Sequence, residues 1–356
     1  MTVTGELDTA KQEAFAGRMV QIVNDACLGL MTGLGHDTHL FDTMAGMPPA
    51  TSEEIARAAG LKERYVREWL GAMVTGGIVD YDADKATYVL PPEHAASLTR
   101  AAGPGNLARI AQDLSIMGEV EQRVAEAFQT GAGVPYDAYP RFQAIQAEES
   151  GEVFDLALVD AIIPLAPGLA DRLRAGIDVL DIGCGQGHAI NVLAKAFPAS
   201  RLHGMDRSEE GIAAARAEAA EWGLTNADFQ VGDCAELPAD SYDLITAFDV
   251  IHDLARPTRT LSAIAGALRE DGVFLMGDIS ASSRVEENIE HPLGPGLYTF
   301  SVFYCMSVSL SEGGEGLGTV WGQQKAMKML ADAGFTQVDT QQVEGDILNV
   351  YYVARR

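Results

Sequence analysis

The run Val179-Leu180-Asp181-Ile182-Gly183-Cys184-Gly185-Gln186-Gly187 sets a glycine at every second position just where an apolar segment ends. Glycine is required where the backbone must bend sharply and a ligand must approach a place that a Cβ would fill. A dinucleotide loop of the form G-x-G-x-x-G would need glycine at 188. Histidine stands there, and this spacing argues against a nicotinamide cofactor. Asp181 precedes the glycines, Asp206 closes an apolar segment with Arg207 behind it, and Asp233 and Cys234 follow Val231-Gly232. A carboxylate at Asp206 suits ribose hydroxyls, and one at Asp233 suits the edge of an adenine. Any one of these acids could be a plain turn former. All of them at the carboxyl ends of successive strands point to a ligand, because open α/β sheets bind ligands there.

A fourth apolar segment runs into Phe248-Asp249-Val250-Ile251-His252-Asp253-Leu254. Imidazole has a reference pKa of about 6.5, so His252 could accept a proton near neutral pH. The plainer alternative is a histidine that caps or packs the next helix. If the chain turns helical from Val250, Asp249 lies three residues back on nearly the same face and could orient the ring. Asp253 would then point elsewhere.

These residues need a frame. From residue 177 onward short apolar strands alternate with helices: 177–181, 201–206, 227–231, 242–248 and 272–277. Such alternation means parallel strands joined by crossover helices. Two last strands, near 337–343 and 348–354, form a hairpin across Glu344-Gly345-Asp346. The expected fold is α/β, a doubly wound seven-stranded Rossmann-like sheet. Ahead of it, residues 13–40 read as a helix with Phe15, Met19, Ile22, Val23, Ala26 and Leu30 on one face. Thr51-Ser52-Glu53-Glu54 looks like a capping box. A second helix follows with Val66, Trp69, Leu70 and Met73 at helical spacing, then a hairpin over 78–90. Helix, turn, helix, hairpin is the order of a winged helix. Residues 104–128 and 142–163 read as further helices. The expected division is 1–150, helical and winged-helix, and 151–356, the sheet domain, with an insertion at about 279–322.

The chain has 356 residues and a net charge of −26. A field of that sign repels nucleic acid and anionic membrane. No apolar run reaches the roughly 18 residues that a spanning helix needs, and residues 1–11 do not read as a secretory signal. A cytoplasmic location is expected. Cys27, Cys184, Cys234 and Cys305 form no C-x-x-C pair, which argues against a zinc site or a disulfide framework.

Taken together, Asp181 with Gly183, Gly185 and Gly187, then Asp206, then Gly232-Asp233, then Phe248-Asp249 resemble motifs I to IV of the class I S-adenosylmethionine (SAM) dependent methyltransferases. The resemblance implies SAM as cofactor. Asp181 could then hold the glycine loop or meet the amino group of SAM, and Asp206, Arg207, Asp233, Cys234 and Phe248 are assigned to the cofactor site. The His252-Asp253 pair resembles the catalytic pair of small-molecule O-methyltransferases. That family also carries an N-terminal winged helix used for dimerisation, so a homodimer is implied. Its usual tryptophan after the pair is Leu254 here. Insertions like 279–322 commonly roof the acceptor pocket in this family. Tyr298, Phe303, Tyr304 and Trp321 would then meet an aromatic or lipophilic acceptor, with His36 reaching in from the N-terminal part; ordinary core packing is the simpler role for the four aromatic residues, and a solvated loop position the simpler one for His36. Oxygen is the expected acceptor atom, with nitrogen second. A SAM-sensing DNA-binding regulator is the rival. Against it, Lys62, Arg64 and Arg67 alternate with Glu63 and Glu68, and the hairpin carries Asp80, Asp82 and Asp84.

Overall fold

The structure, a computed structural model, describes residues 7–139, 141–344 and 346–356. Its contacts divide the chain into two compact units, one ending at Gly118 and one running from Glu119 to Arg356.

The first unit begins with α1 (Thr9–Asp37) and α2 (Leu40–Ala45). Next come α3 (Ser52–Ala59), α4 (Glu63–Thr75), the strands β1 (Asp80–Asp82) and β2 (Thr87–Val89), and the short α5 (Pro92–Ala95). Helices α3 and α4 with the β1–β2 hairpin make the winged helix. The capping box is present: the Glu54 amide donates to the Thr51 hydroxyl at 3.3 Å, and the Thr51 amide donates to the Glu54 carboxylate at 2.9 Å. The expected stripe of α4 (Val66, Trp69, Leu70, Met73) is buried. Phe41 meets Trp69 edge-on at 5.1 Å, and the Trp69 indole N–H donates to the Met31 carbonyl at 2.8 Å. The helix expected from residue 104 starts only at Asp113, as α6 (Asp113–Thr130). Upstream, Gly103 takes φ 56, outside helical space. Asn106 then accepts the Ala108 amide through its side chain at 3.2 Å, a local bond that competes with helix formation.

In the second unit, α7 (Phe142–Val153) widens into a π-helical stretch, Phe154–Ile162, before α8 (Leu169–Ala175). The sheet region then reads β3 (Asp178–Ile182), α9 (His188–Ala196), β4 (Arg201–Asp206), α10 (Glu209–Glu221), β5 (Ala227–Val231), β6 (Tyr242–Phe248), α11 (Pro257–Ala267) and β7 (Leu268–Ile279). After it come α12 (Gly294–Phe300), α13 (Met306–Ser311), α14 (Gly322–Asp332), β8 (Gln337–Gln341) and β9 (Asn349–Arg355). The strand order is β5-β4-β3-β6-β7-β9-β8; β9 is antiparallel to both of its neighbours, and the rest of the sheet is parallel. This is the expected doubly wound arrangement. Gly345, in the expected final turn, lies outside the described residues.

Both faces of the sheet are covered, so its strands alternate between two apolar cores rather than between core and water. Val179, Leu244 and Leu275 join Leu158, Ile190 and Ile212 on one face. Leu180, Ile245 and Phe274 join Leu261, Ile264 and Leu330 on the other. Residues 119–150 were expected with the N-terminal half, but they group with the sheet. Aromatic packing explains it: Phe142 stacks on Tyr304 at 3.6 Å, and the Tyr139 hydroxyl donates to the Phe303 carbonyl at 2.6 Å. Among the described residues no single helix is long and apolar enough to cross a membrane.

Candidate active site

Strand order reverses between β3 and β6, the switch point where a crevice opens in a doubly wound sheet. The glycine loop leaves β3 at this point. Gly183, Gly185 and Gly187 have φ of 66, 54 and 74, a left-handed region that favours glycine. A Cβ on Gly187 would lie 2.4 Å from the Ala215 Cβ and 2.6 Å from the Phe229 ring, and one on Gly183 would lie 2.5 Å from Val250. Around Gly185 there is open space. Two of the glycines therefore let elements close up, and the third faces the crevice.

The crevice is a cavity of about 530 Å³. Asp181, Gly183, Gly185, Asp206, Arg207, Asp233, Cys234, Phe248 and Asp249 all line it. Gly187 does not; it shapes the turn from behind. Asp206 secures the loop, since one of its oxygens accepts the Gly185 amide at 2.9 Å and the other the Ser208 amide at 2.8 Å. Asp181 is buried and accepts the Thr246 hydroxyl at 2.6 Å. Burial lifts its carboxyl to about 7, against the opposing effect of that hydrogen bond. Asp249 sits in the left-handed region at φ 56 and is exposed where it lines the cavity. The Cys234 thiol is pushed up to about 12 by burial.

His252 is buried at 4 % exposure and lies on a 3-10 turn, Ile251–Asp253. Its Nδ1 is 2.9 Å from Asp278 Oδ1, on β7, and its Nε2 is 3.2 Å from Asp253 Oδ1. The same Asp278 oxygen accepts the Trp321 indole N–H at 2.9 Å and the Ile279 amide at 2.8 Å. Sequence had favoured Asp249 as the partner that orients the ring and had pointed Asp253 elsewhere; both expectations are corrected. They assumed a helix from Val250, but the backbone leaves helical space at Asp249 and winds more tightly after it. Burial alone would lower the imidazole pKa, yet the carboxylates of Asp278 and Asp253 hold it well above the ordinary histidine value. Asp253 is among the cavity-lining residues, and His252 is behind it.

Residues 26–100 match the Rv2258c-like winged HTH domain family, and residues 173–334 match a methyltransferase domain family. Nocamycin O-methyltransferase of Saccharothrix syringae is 37% identical over 100 residues, which cover 27% of this chain and 36% of that protein. The chain thus spans about a third of the length of that curated relative. Two solved structures share the fold over nearly the whole chain. The mitomycin 7-O-methyltransferase MmcR has a TM-score of 0.72 at 17% identity, covering 98% of this chain and 100% of its own. Human N-acetylserotonin methyltransferase, solved in complex with SAM, has a TM-score of 0.69 at 17% identity, covering 100% and 99%. Residues 173–334 belong to a methyltransferase domain family, preceded in the chain by a winged helix.

The donor set of this methyltransferase domain fits SAM, whose ammonium and sulfonium are both cationic. Asp181, Asp206, Asp233, Asp249 and Asp253 all line the cavity, and among the described residues the buried Asp181 has the Thr246 hydroxyl as its one side-chain hydrogen-bond partner. The aromatic wall was only partly foreseen. Tyr304 lines the cavity together with Tyr136, and with Phe142 and Phe154 from residues 142–163, which the sequence reads simply as helix. Tyr298, Phe303 and Trp321 are not among its lining residues. Trp321 is buried and serves Asp278, and the Tyr298 hydroxyl accepts from Asn288 at 3.2 Å. Phe303 offers its backbone carbonyl to Tyr139. His36 is a buried histidine of the winged-helix unit, with ring nitrogens 3.0 Å from Arg100 and 3.4 Å from Asn106. It lies within α1, which continues unbroken through Gly33 and Gly35. Arg207 pairs with Glu312 at the cavity and lies 5.5 Å from the centre of the Tyr136 ring.

Proposed function

We propose that this protein transfers the methyl group of SAM to a hydroxyl of a small aromatic or lipophilic molecule. The observation that carries the proposal is a single cavity that combines Asp181, Asp206 and Asp233 with an aromatic wall of Tyr136, Phe142 and Tyr304, and also contains Asp253. When bound, SAM supplies an electrophilic methyl carbon, which the acceptor oxygen takes as the carbon–sulfur bond breaks and its electron pair stays on sulfur. Asp181 would hold the ammonium of the cofactor, Asp206 its ribose hydroxyls and Asp233 the adenine edge. The aromatic wall would flank a planar acceptor and keep water out. Most of the rate advantage in such a displacement comes from positioning. The proton of the hydroxyl goes to the His252–Asp253 pair, with Asp278 fixing the ring. Nocamycin O-methyltransferase and mitomycin 7-O-methyltransferase, to which this chain is similar, are O-methyltransferases by name, and that favours oxygen as the acceptor atom. The winged helix serves in this reading as the scaffold of a homodimer.

The test is incubation of the purified protein with labelled SAM and a metabolite extract, followed by mass spectrometry. New methyl ethers, formed together with S-adenosylhomocysteine, are expected. Methylated amines alone would shift the acceptor to nitrogen. Tight SAM binding with no methylated product in any extract would favour a SAM-sensing regulator instead.

A further inference from the structure

We infer that the side chain of Arg207 is a movable latch over the cofactor cavity, and that its swing sets how fast the cofactor exchanges. The inference rests on the cofactor and not on the nature of the acceptor. Two cavities meet at this point. Arg207, Glu312 and Tyr136 line the cavity of about 530 Å³ and also a neighbouring one of about 450 Å³. Among the described residues no other side chain lines both, so these three form the partition. They come from three parts of the chain. Arg207 follows Asp206 at the end of β4, Glu312 caps the C-terminus of α13, and Tyr136 opens the 3-10 turn ahead of α7. The guanidinium pairs with the Glu312 carboxylate and lies 5.5 Å from the centre of the Tyr136 ring.

How each of the three is held decides which can move. The glycine-rich run Glu312-Gly313-Gly314-Glu315-Gly316 looks mobile in sequence, but hydrogen bonds pin it. The Glu315 amide donates to the Ala255 carbonyl at 2.9 Å, and the Glu315 carboxylate accepts the Thr258 hydroxyl at 2.7 Å. The Gly316 amide donates to the Ser309 hydroxyl at 3.1 Å, which in turn donates to the Leu254 carbonyl at 2.9 Å. The approach to Tyr136 is tied as well: the Val134 amide donates to the Ser307 carbonyl at 3.2 Å, and a Cβ on Gly133 would lie 2.1 Å from that oxygen. Beside Arg207 the backbone is anchored through Asp206, which accepts the Gly185 and Ser208 amides. The long Arg207 side chain, 56% exposed, is the part left to swing. An ion pair at that exposure adds little to stability, so the latch opens at small cost. Charge explains the pairing. A bare guanidinium at this wall would oppose the cationic SAM that the acidic cavity attracts, and Glu312 cancels it. Closed, the latch separates the two cavities; open, it joins them into one passage.

Stopped-flow exchange of S-adenosylhomocysteine tests this, since that ligand carries no net charge and needs no acceptor. Glu312→Gln releases the latch. It should raise the association and dissociation rates together by about two- to fivefold, the worth of an exposed ion pair, and leave Kd nearly unchanged. Added salt should speed release from the parent by screening the pair, and should not do so in Glu312→Gln. Arg207→Glu should also exchange faster than the parent, and joining it to Glu312→Arg should bring the rates back toward the parent's. General loosening of the fold would give no such recovery. The inference is overturned if Glu312→Gln exchanges at the parent's rates, or if the swapped pair is no slower than the single variants. It is also overturned if only dissociation rises and Kd weakens in step, which would make Glu312 part of the binding site. If the parent binds no S-adenosylhomocysteine, the cofactor reading fails and the latch falls with it. If it binds and nothing is methylated, the proposed methyl transfer fails, whereas the exchange rates still decide the latch.

Discussion

Asp181 shows how one buried carboxyl sets stability and ligand binding against each other. Its folded pKa, lifted to about 7 by burial, exceeds the ordinary value, so the folded chain binds more protons than the unfolded one between about pH 4 and 7. Its contribution therefore makes stability fall as pH rises through that window. Asp181→Asn removes the buried charge but can still accept the Thr246 hydroxyl. It should melt a few degrees above the parent at pH 8 and match it near pH 4, as calorimetric scans at the two pH values would show. The same change takes away the proposed partner of the SAM ammonium, and affinity should drop by about 10–100-fold, the range for a charged hydrogen bond. In the parent chain, SAM binding should weaken as pH falls below about 7, approaching tenfold per unit, because the carboxyl must first give up its proton. Affinity that is flat between pH 5.5 and 8 would remove Asp181 from the ammonium site. Asp206 differs, for it already binds the loop through the Gly185 and Ser208 amides. Asp206→Ala should cost about 1–3 kcal/mol of SAM binding by calorimetry, part of it through a loosened loop.

In the loop between β3 and α9, three glycines that look alike in sequence divide by what surrounds them. Gly187→Ala would drive a Cβ into Ala215 and Phe229, joining α10 and β5 to a strained left-handed alanine. It should cost about 2–4 kcal/mol of folding stability. Gly185→Ala meets open space and pays only the backbone strain, about 1–2 kcal/mol. It should therefore fold, melt slightly lower and lose SAM affinity because its methyl group enters the crevice. Paired thermal melts and SAM titrations separate the two, and equal losses of stability would contradict the assignment. The loop was legible because chemistry and strand end coincide within a few residues, and the bounds of β4, β5 and β6 match those read from apolar runs ended by Asp or Gly. The carboxylates at the strand ends were legible for the same reason. The partner of His252 was not. Asp278 reaches it through the pairing of β6 with β7, a register that no local pattern encodes, and the direction of Asp249 turns on a single left-handed residue. The Phe142–Tyr304 stack joins residues far apart in the chain, so the α7 wall of the cavity could not be foreseen from periodicity.

Over the whole molecule, charge and exposed apolar surface decide which partners are plausible. The stripe read on α1 is present, but it is not covered: Phe15 and Val23 are each more than half exposed, Met19, Ile22 and Leu30 are exposed as well, and Val20, outside that stripe, adds a further exposed apolar side chain. From Phe15 to Leu34 the exposed apolar side chains run along about 30 Å of the helix, and an apolar band of that extent is the kind of surface that associates. In the homodimer proposed above, a two-fold axis would let the same stripe face itself. Light scattering at micromolar concentration should give twice the chain mass of 37.9 kDa. Val20→Glu with Val23→Glu should halve that mass and leave SAM affinity unchanged. A parent chain that runs as a monomer would contradict the dimer. Duplex DNA should not compete for the winged helix. On α4 the guanidinium of Arg67 sits 3.0 Å from Glu63 and Arg64 pairs with Glu68, so both cations are matched by acids on their own helix. Phosphate contacts depend on releasing counterions from clustered Lys and Arg, and this chain presents a net charge of −26 instead. Fluorescence anisotropy with labelled duplex at physiological salt should show no binding below about 10⁻⁴ M, the weak end of non-specific association. Tight binding that weakens steeply with added salt would return the winged helix to the DNA-reading role that its acidic face argues against.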